Sequence, residues 1–421
     1  MRRGEKVIEE VFDVAVIGGG PAGLVAAVSA SENGAEKVVI LDRNSWLGGI
    51  LPQCIHDGFG VEETGVSMTG PEYANMYIEL AEKHGVTIMS ETMVLGFNKK
   101  LEIIAVNKEG VYKIKTRGIV LAMGCREKTR WNVMIPGDRP SGVFTAGVAQ
   151  AFINLYNIMP GKNVVILGSG DVGLIMARRL KLEGANVLGV VEILPYASGL
   201  PRNVVQCLDD YDIPLYLNHT VTYIKGRDRL ESVTIAKVDK NMNVIPGTEK
   251  EIKCDTLLLS LGLIPENELS KNAGVEIDNI TRGPRVDQFY ETNIPGVFAC
   301  GNCLQVYDTV DALSVGARHA GKYVAQRLKQ EKTKNSEIFV KPGEGVRYVV
   351  PQRVNQSGPV HFTLRVTQPG ESVFLNVTSD GKKIYRKKLR FVNPANMINF
   401  EMNVDKTLLR SNRSLEVSVH G

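Results

Sequence analysis

The sequence has no long hydrophobic run, few cysteines and almost no excess of charge, and each lack excludes a class of protein. The longest apolar runs, such as 118–123 and 256–262, fall far short of the ~20 residues that a membrane helix needs. Six cysteines scattered over 421 residues do not make a disulfide framework, so we expect a reducing, cytoplasmic setting. A net charge of +4 indicates neither nucleic acid nor a membrane surface as a partner. The first apolar run begins only at Val11, which predicts a strand and not a signal peptide.

What the sequence does contain is a repeat of itself. The apolar run 12–17 leads into GGGPAG at 18–23, the first glycine turn, and the run 163–167 leads into GSGDVG at 168–173, the second glycine turn. In each copy the next strand ends in an acid 19 positions after the third glycine, Asp42 in the first and Glu192 in the second. A single motif of this kind is weak, but two complete strand–glycine–helix–strand–acid units predict two dinucleotide sites.

The chemistry of such a turn explains its residues. The first glycine lets the chain turn sharply, the second lets the backbone approach a pyrophosphate, and the third lets the helix pack closely on the sheet. The phosphates then lie at the helix N-terminus, where free N–H groups favour negative charge. Asp42 and Glu192 would each accept hydrogen bonds from ribose hydroxyls, and Glu192 would repel a 2′-phosphate. We therefore expect NAD(H) and not NADP(H) at the second turn.

Three further segments lie between and after the two units: 118–125, 259–266 (LSLGLIPE) and 292–302 (TNIPGVFACGN). Over residues 11 to about 330 the chain thereby resembles the flavoproteins with two dinucleotide-binding domains, the superfamily of glutathione and thioredoxin reductases. The resemblance implies FAD at the first turn, NAD(H) at the second, and hydride transfer between them. In that superfamily the last segment carries an acid that binds the ribityl chain of FAD. This chain has Asn302 there, which can bond a hydroxyl without charge.

A closer resemblance is carried by 124–130 (GCREKTR), 135–137 (IPG) and 144–150 (FTAGVAQ). These segments look like the flavoprotein subunits of amine, opine and proline dehydrogenases and of hydrogen cyanide synthase. Residues 47–56, 191–196 and 346–352 are similar to the flavoprotein that accompanies FAD-dependent glycerol-3-phosphate dehydrogenases. By analogy, a partner dehydrogenase subunit oxidises the substrate, an iron–sulfur carrier would sit on a partner, and the protein is oligomeric.

The predicted architecture is α/β, with two nested Rossmann-like dinucleotide-binding domains and a small C-terminal all-β domain. We assign residues 1–155 and 266–330 to the FAD-binding domain and residues 156–265 to the NAD(H)-binding domain. Residues 331–345 are charged and contain Pro and Gly, which predicts a linker. Short alternating runs with turn signals between them predict a β-sandwich-like domain over 346–421. Its basic run 382–390 is interpreted as a solvated face, with subunit docking as the alternative.

The candidate cofactor residues follow from the two turns and the resemblance. The predicted FAD-binding residues are Gly18, Gly20, Pro21, Ala22, Gly23, Asp42, Arg43, Gly49, Val94, Gly124, Gly301 and Asn302. The predicted NAD-binding residues are Gly168, Gly170, Asp171, Val172, Gly173, Glu192 and Gly262. No metal site is predicted, because the Cys300–Cys303 pair has no second pair to complete four thiolates. A disulfide between these two cysteines stays open as an alternative.

Cys54 and His56 are the candidate catalytic residues. Cys54 lies 31 residues after Gly23, where the superfamily brings the chain towards the flavin. No cysteine follows before Cys125, which excludes the dithiol of the glutathione reductase type. Either Cys54 is a lone reactive thiol whose pKa is lowered by His56, or it lines a pocket without chemistry. Four further candidate proton donors at the flavin are Asp57, Tyr307, Asp308 and Asp311.

The sequence therefore predicts an FAD- and NAD-dependent oxidoreductase that serves as the NADH-linked subunit of a larger dehydrogenase. Two alternatives remain. One is a self-contained NADH oxidase or peroxidase that uses Cys54. The other is a non-catalytic assembly subunit whose nucleotide sites are occupied.

Overall fold

The computed structural model describes residues 7–329, 337–410 and 414–421, and the chain divides into two compact units. The first unit contains the chain up to Cys125 and again from Pro265 onwards. The second unit is the intervening segment Arg126–Ile264. The chain passes between the units twice, and a short strand lies at each crossing, Cys125–Glu127 at the first and Leu263–Pro265 at the second.

A five-stranded parallel sheet forms the centre of the first unit. In spatial order its strands are Val297–Ala299, Gly118–Leu121, Val14–Ile17, Val38–Leu41 and Thr87–Met89. The three central strands are fully buried. The helices of this unit are Pro21–Glu32, Val61–Thr64, Gly70–Lys83, Glu268–Ala273 and Val310–Arg327.

A second sheet of the first unit consists of Val7–Val11, Gly110–Lys115, Glu102–Asn107 and Met93–Phe97, in that spatial order. Its first two strands are parallel and the other pairs are antiparallel. Ile103 and Ile114 bury their side chains in the same core as the parallel sheet. The two sheets of this unit therefore share one hydrophobic core.

The second unit repeats the central architecture. In spatial order its parallel strands are Val143–Thr145, Thr256–Leu259, Asn163–Leu167, Asn186–Glu192 and Leu215–Leu217. Its helices are Ala146–Tyr156, Asp171–Leu182 and Pro201–Cys207. An antiparallel sheet of His219–Gly226, Leu230–Lys237 and Lys250–Lys253 completes it. The predicted pair of Rossmann-like domains is thus confirmed.

The first crossing between the units lies well before the predicted boundary at 155/156. Strand Val143–Thr145 pairs with Thr256–Leu259, and helix Ala146–Tyr156 buries Ala146, Ala149 and Ile153 in the core of the second unit. The boundary prediction placed these elements in the first unit, because nothing in their own sequence shows which sheet they join.

The C-terminal module, residues 337–421, is a sandwich of two sheets, as predicted. In spatial order one sheet contains Arg353–Val354, Ile338–Pro342, Leu415–His420, Gly370–Ser379 and Lys382–Val392. The other contains Val346–Val350, Gly358–Val366 and Ile398–Val404, and a short helix spans Lys406–Arg410. Phe362 stacks on Phe400, its cross-strand partner in this second sheet, with ring centroids 5.0 Å apart, and both share one buried core with Leu375 and Val417 of the first sheet. The basic run lies on Lys382–Val392, whose basic side chains are exposed at the edge of its sheet.

Part of the predicted linker is a strand. Residues 331–336 lie outside the described residues, but Ile338–Pro342 pairs in parallel with Leu415–His420. Ile338 and Val340 are buried while Phe339 between them is exposed, the period-two pattern of a strand at a surface. The charged residues, proline and glycine around this strand predicted a linker, because the alternating pattern is short.

Two histidines face each other where the C-terminal module meets helix Val310–Arg327. The ring centroids of His319, on the helix, and His361, on strand Gly358–Val366, are 6.3 Å apart. Burial lowers the pKa of both, and the charges of His361, Lys322 and Arg318 lower the pKa of His319 further. The carboxylate of Glu401 opposes both shifts.

We expect this pair to make acid pH destabilising. A histidine with a lowered pKa in the folded state binds protons more weakly than the unfolded chain, so stability falls as pH drops through its unfolded pKa of about 6.5. In His361→Gln, the melting temperature should fall less between pH 7 and pH 5 than in the wild type. The difference should be about 1 °C for each kcal/mol of stability that protonation of His361 removes, since the entropy of unfolding grows with chain length.

Thermal denaturation at both pH values measures this difference. Asp287, in the same region, has a pKa raised to about 6 by burial, so its ionisation lowers stability as pH rises. It is unchanged in the variant, and the comparison with the wild type therefore isolates the histidine. Equal losses in the two proteins would contradict the prediction.

Candidate functional site

The first glycine turn leaves an open, uncapped helix N-terminus. Gly18 has φ +106°, and an added Cβ there would overlap the carbonyl oxygen of Ala122. Gly20 caps helix Pro21–Glu32 without a side-chain hydrogen bond, and no acidic residue lies in the first helical turn. A Cβ on Gly20 would find only Gly49 Cα, at 3.8 Å. Among the described residues no side chain thus caps this helix N-terminus, which fits the pyrophosphate of a dinucleotide.

The other predicted residues of this turn lie around it. A Cβ on Gly23 would overlap the carbonyl oxygen of Gly18, so the third glycine lets the helix approach the turn. Gly49, with φ +58°, lies against Gly20, where its Cβ would be 3.1 Å from the Gly20 Cα. At Gly301 a Cβ would come within 2.5 Å of the Cβ of Ala22. The structure therefore brings together residues from three distant parts of the chain.

Asp42 lies at the end of the adjacent strand, 8% exposed. Its carboxylate accepts the N–H of Gly19 at 2.7 Å and of Asn44 at 2.8 Å. An ionised carboxylate has about four acceptor positions, so two remain for ribose hydroxyls. Arg43 beside it is exposed. Val94, buried, follows Thr92, whose N–H binds the carbonyl of Asp42.

Asn302 already has one partner within the protein. Its Oδ1 accepts the N–H of Tyr307 at 3.1 Å. An amide oxygen has two lone pairs and the NH₂ group has two N–H donors, so Asn302 can still accept from or donate to a ribityl hydroxyl. Gly124, with φ +71°, has no atom within 4 Å of an added Cβ. Both positions fit a ligand that passes close to the backbone.

The second glycine turn has the same construction in the second unit. A Cβ on Gly168, which has φ +97°, would overlap the carbonyl oxygen of Ser260. Gly170 caps helix Asp171–Leu182 without a side-chain hydrogen bond. The N–H of Gly173 donates to Ser260 Oγ at 3.1 Å, and a Cβ on Gly173 would be 2.7 Å from the Cβ of Ser260. No signal in the sequence points to Ser260, which follows a strand 87 residues away.

Glu192 is 4% exposed and held by four donors. Its Oε2 accepts the N–H of Ser169 at 3.0 Å, the hydroxyl of Ser169 at 2.5 Å and that of Ser198 at 2.9 Å. Its Oε1 accepts the N–H of Leu194 at 3.0 Å and keeps a lone pair for a ribose hydroxyl. Neither serine was predicted from the sequence. Ser169 could have been found, since it lies inside the glycine turn.

The three remaining predicted residues of the second site differ in their surroundings. The carboxylate of Asp171 accepts the N–H of Leu200 at 2.8 Å and the side-chain NH₂ of Asn203 at 2.7 Å. It is therefore bound to the segment that follows the next strand. Val172 is partly exposed, at 37%. Gly262, with φ +88°, accepts the N–H of Lys128 at 2.9 Å.

Cys54 does not have the features of a reactive thiol. Burial raises its pKa to about 12, the opposite of the lowering by His56 that the reactive-thiol alternative needs. Its Sγ donates to the carbonyl of Ile50 at 3.4 Å. The ring of His56 lies 3.0 Å from the carbonyl of Asp57 and packs on Phe59, with centroids 5.0 Å apart. A nucleophilic cysteine needs a low pKa, so this environment favours the interpretation of Cys54 as a wall residue.

Four other residues that the sequence singled out are buried or bonded within the fold. Cys300 and Cys303 are free thiols with no exposed surface, and burial raises the pKa of both. Asp311 accepts the N–H groups of Gly60, Glu62 and Glu63 and so caps helix Val61–Thr64. Asp308 forms an ion pair with Arg365.

The described part of the chain contains neither a metal-binding cluster nor a membrane-spanning helix. Over residues 7–329, 337–410 and 414–421, no group of three or more His, Cys, Asp or Glu side chains could hold a metal ion. None of the helices in those ranges is long and apolar enough to cross a membrane.

Comparison with known proteins agrees with this geometry. The profile of the pyridine nucleotide-disulphide oxidoreductases matches residues 12–320. Hydrogen cyanide synthase subunit HcnB of Pseudomonas protegens is 27% identical over 286 residues, 62% of this chain and 58% of that protein. An NADH dehydrogenase of Bacillus subtilis is 26% identical over 299 residues, 70% of this chain and 54% of that protein. The chain thus spans little more than half the length of these two relatives.

An opine oxidase subunit of Agrobacterium tumefaciens is 25% identical over 357 residues, 79% of this chain and 69% of that protein. Among solved structures, thioredoxin reductase of T. acidophilum is similar with a TM-score of 0.61 and 25% identity, over 76% of this chain and 98% of the other. L-proline dehydrogenase of P. horikoshii shares the fold with a TM-score of 0.54 and 20% identity, over 78% of this chain and 58% of the other.

Proposed function

Since the chain belongs to the pyridine nucleotide-disulphide oxidoreductases, enzymes that depend on FAD and a pyridine nucleotide, we propose that it passes a hydride between NAD(H) and FAD. One observation carries this proposal. In both units the second residue of the glycine turn, Gly19 or Ser169, donates its N–H to the buried acid of the next strand, Asp42 or Glu192. Each unit therefore offers the same arrangement of an open helix N-terminus beside a fixed carboxylate.

The role of this chain's residues in such a reaction is to bind and orient. FAD, when bound, accepts a hydride from a dihydronicotinamide, and that chemistry belongs to the cofactors. The first glycine turn would hold the FAD pyrophosphate, with Asp42 on its ribose and Asn302 hydrogen-bonded to the ribityl chain. The second glycine turn would hold the pyridine nucleotide, with Glu192 on its ribose. None of these tasks needs a proton from Cys54 or His56.

The decisive experiment is an anaerobic titration of the FAD-loaded protein with NADH. We expect stoichiometric loss of the visible flavin absorbance. A flavin that binds but stays oxidised would contradict the proposal and favour the non-catalytic assembly subunit. Loss of peroxide turnover in Cys54→Ser, with NADH-dependent flavin bleaching unchanged, would favour the peroxidase alternative. The pKa of Cys54, raised to about 12, opposes that outcome.

Glu192 should decide between NADH and NADPH. Its Oε2 is already saturated by three donors, so the buried carboxylate is fixed and negative beside the place for the ribose. A 2′-phosphate there would meet like charge. In Glu192→Gln we expect the preference for NADH over NADPH to fall about tenfold, which corresponds to ~1.4 kcal/mol of lost repulsion.

Kinetics of flavin reduction with each nucleotide measure this preference. Glu183→Gln is the matched control, because Glu183 lies in the same unit but forms a surface ion pair with Arg179. An unchanged ratio in Glu192→Gln, or an equal change in the control, would refute the assignment.

We further propose that the protein is the NADH-linked subunit of a larger dehydrogenase, with glycerol 3-phosphate as the substrate of a partner. Two relatives, HcnB and the opine oxidase chain, are named as subunits. An iron–sulfur carrier between the two subunits would have to be supplied by a partner. Purification from the native source, followed by assay of glycerol-3-phosphate-dependent NAD⁺ reduction with and without the copurified proteins, tests this assignment.

A further inference from the structure

The C-terminal module binds the loop that leads from Asn302 to helix Val310–Arg327. The loop, residues 302–309, ends at Thr309, whose hydroxyl accepts the N–H of Ala312 and caps the helix. Strand Gly358–Val366 of the module supplies the side chains that bind this loop. The module therefore contacts the chain directly behind a predicted FAD-binding residue.

Arg365 provides the strongest attachment. Its Nη2 donates to the carboxylate of Asp308 and, at 3.2 Å, to the carbonyl of Val306. Its Nη1 donates to the carbonyls of Pro394 at 3.1 Å and Ala395 at 2.5 Å. A guanidinium has five N–H donors, and these four contacts leave only the Nε–H.

The Nε–H of Arg365 donates to the hydroxyl of Tyr348 at 3.1 Å, so all five donors are used. The ion pair with Asp308 is buried, with side-chain exposures of 12% and 16%. The second oxygen of Asp308 accepts the N–H of Met397 at 2.5 Å. Asp308 is thus bound on both oxygens by the C-terminal module.

A second attachment lies three residues earlier in the loop. The side-chain amide of Gln305 donates to Thr363 Oγ1 at 2.8 Å and to the hydroxyl of Tyr307 at 3.1 Å. The N–H of Tyr307 in turn donates to Oδ1 of Asn302 at 3.1 Å. Contacts therefore run without a break from the C-terminal module to the side chain that the proposed function places on FAD.

We propose that Arg365 is a positioning residue for FAD: through Asp308 it holds the loop 302–309 so that the amide of Asn302 faces the ribityl chain. The inference rests on the proposed function, in which Asn302 meets the flavin half of the cofactor. It gives the C-terminal module a role in cofactor geometry. Arg365 itself does not touch FAD.

The chemistry of the pair makes the effect measurable. Removing one partner of a buried ion pair leaves the other charge uncompensated, so the loop of Asp308 must move towards water. Lysine keeps the charge but lacks the planar fork that reaches both Val306 and Asp308. Arg365→Met and Arg365→Lys should both release the loop, the second with less damage to folding.

Arg353→Met is the matched control. Arg353 also lies in the C-terminal module, also has 12% side-chain exposure, and also reaches across to the rest of the unit, where it donates to the carbonyl of Arg285 at 3.2 Å. Its contacts do not involve the loop 302–309. A general loosening of the module would therefore appear in this variant as well.

The experiment measures FAD binding to apo-protein by flavin fluorescence, the visible spectrum of bound flavin, and the melting temperature of each apo-protein. We expect the Kd for FAD to rise about tenfold or more in both Arg365 variants, with an altered flavin spectrum, and to change little in Arg353→Met. Should Arg365→Met not fold, Arg365→Lys carries the same comparison.

The outcomes separate the positioning role from the proposed function. Equal FAD binding and equal spectra in the Arg365 variants and the control would overturn the positioning role, as would a change that follows melting temperature alone. Wild-type protein that does not bind FAD would instead refute the proposed function. A weaker Kd and altered spectrum confined to Arg365 would support the inference.

Discussion

Gly23→Ala should yield a protein that purifies without FAD. A Cβ at this position would overlap the carbonyl oxygen of Gly18, and a backbone atom can give way only if the helix moves off the sheet. That movement shifts the N–H groups of the first glycine turn away from the pyrophosphate. We expect FAD affinity to fall about a hundredfold or more, equivalent to ~3 kcal/mol. Absorbance of the purified protein and titration of apo-protein with FAD measure it.

Gly96→Ala is the control for this variant. A Cβ at Gly96, on strand Met93–Phe97 of the same unit, meets no atom within 4 Å. It should bind FAD like the wild type. If Gly23→Ala retains full FAD affinity, the first glycine turn is not the site of the pyrophosphate.

Gly168→Ala should produce the complementary defect. The protein should still bind FAD and be yellow, but NADH should no longer reduce the bound flavin. An added Cβ would overlap the carbonyl oxygen of Ser260, and φ of +97° is strained for any residue with a side chain, by about 1–2 kcal/mol. The change lies in the second unit, within a turn separate from the first. We expect the rate of flavin reduction at low NADH to fall about a hundredfold, since binding would lose ~3 kcal/mol.

Stopped-flow reduction by NADH, together with the flavin content of the purified protein, tests this expectation. Photoreduction of the flavin serves as an internal control, because it bypasses the nucleotide site. Normal NADH reduction in Gly168→Ala would show that the second turn does not bind the nucleotide. Loss of FAD together with NADH reduction would show that the two sites are not separable.

Much of the candidate site could be predicted because it is local. A glycine turn and the acid that ends the next strand lie within one strand–helix–strand unit, and their spacing follows from the dimensions of those elements. The expectation that Asp42 and Glu192 lie beside the turns agrees with their hydrogen bonds to Gly19 and Ser169. The same local logic predicted a β-rich module at the C-terminal end of the chain.

Predictions that depended on surroundings fared less well. Burial raises the pKa of Cys54, which opposes one of the two interpretations that the sequence left open, the reactive thiol. The side-chain oxygen of Asn302 accepts the N–H of Tyr307, a contact that the sequence does not show. Helix Ala146–Tyr156 joined the second unit because of the sheet it packs on.

The sequence by itself determined that this protein has two Rossmann-like units, the glycine turns and acids of both, and a β module at its end, because each of these depends on residues that are neighbours along the chain. Only the tertiary structure decided which donors fix Glu192, why Ser260 lies against the second turn, and how Arg365 reaches Asp308. These contacts join residues far apart in sequence. Their geometry is set by how whole sheets and helices pack, and no local pattern of residues contains that information.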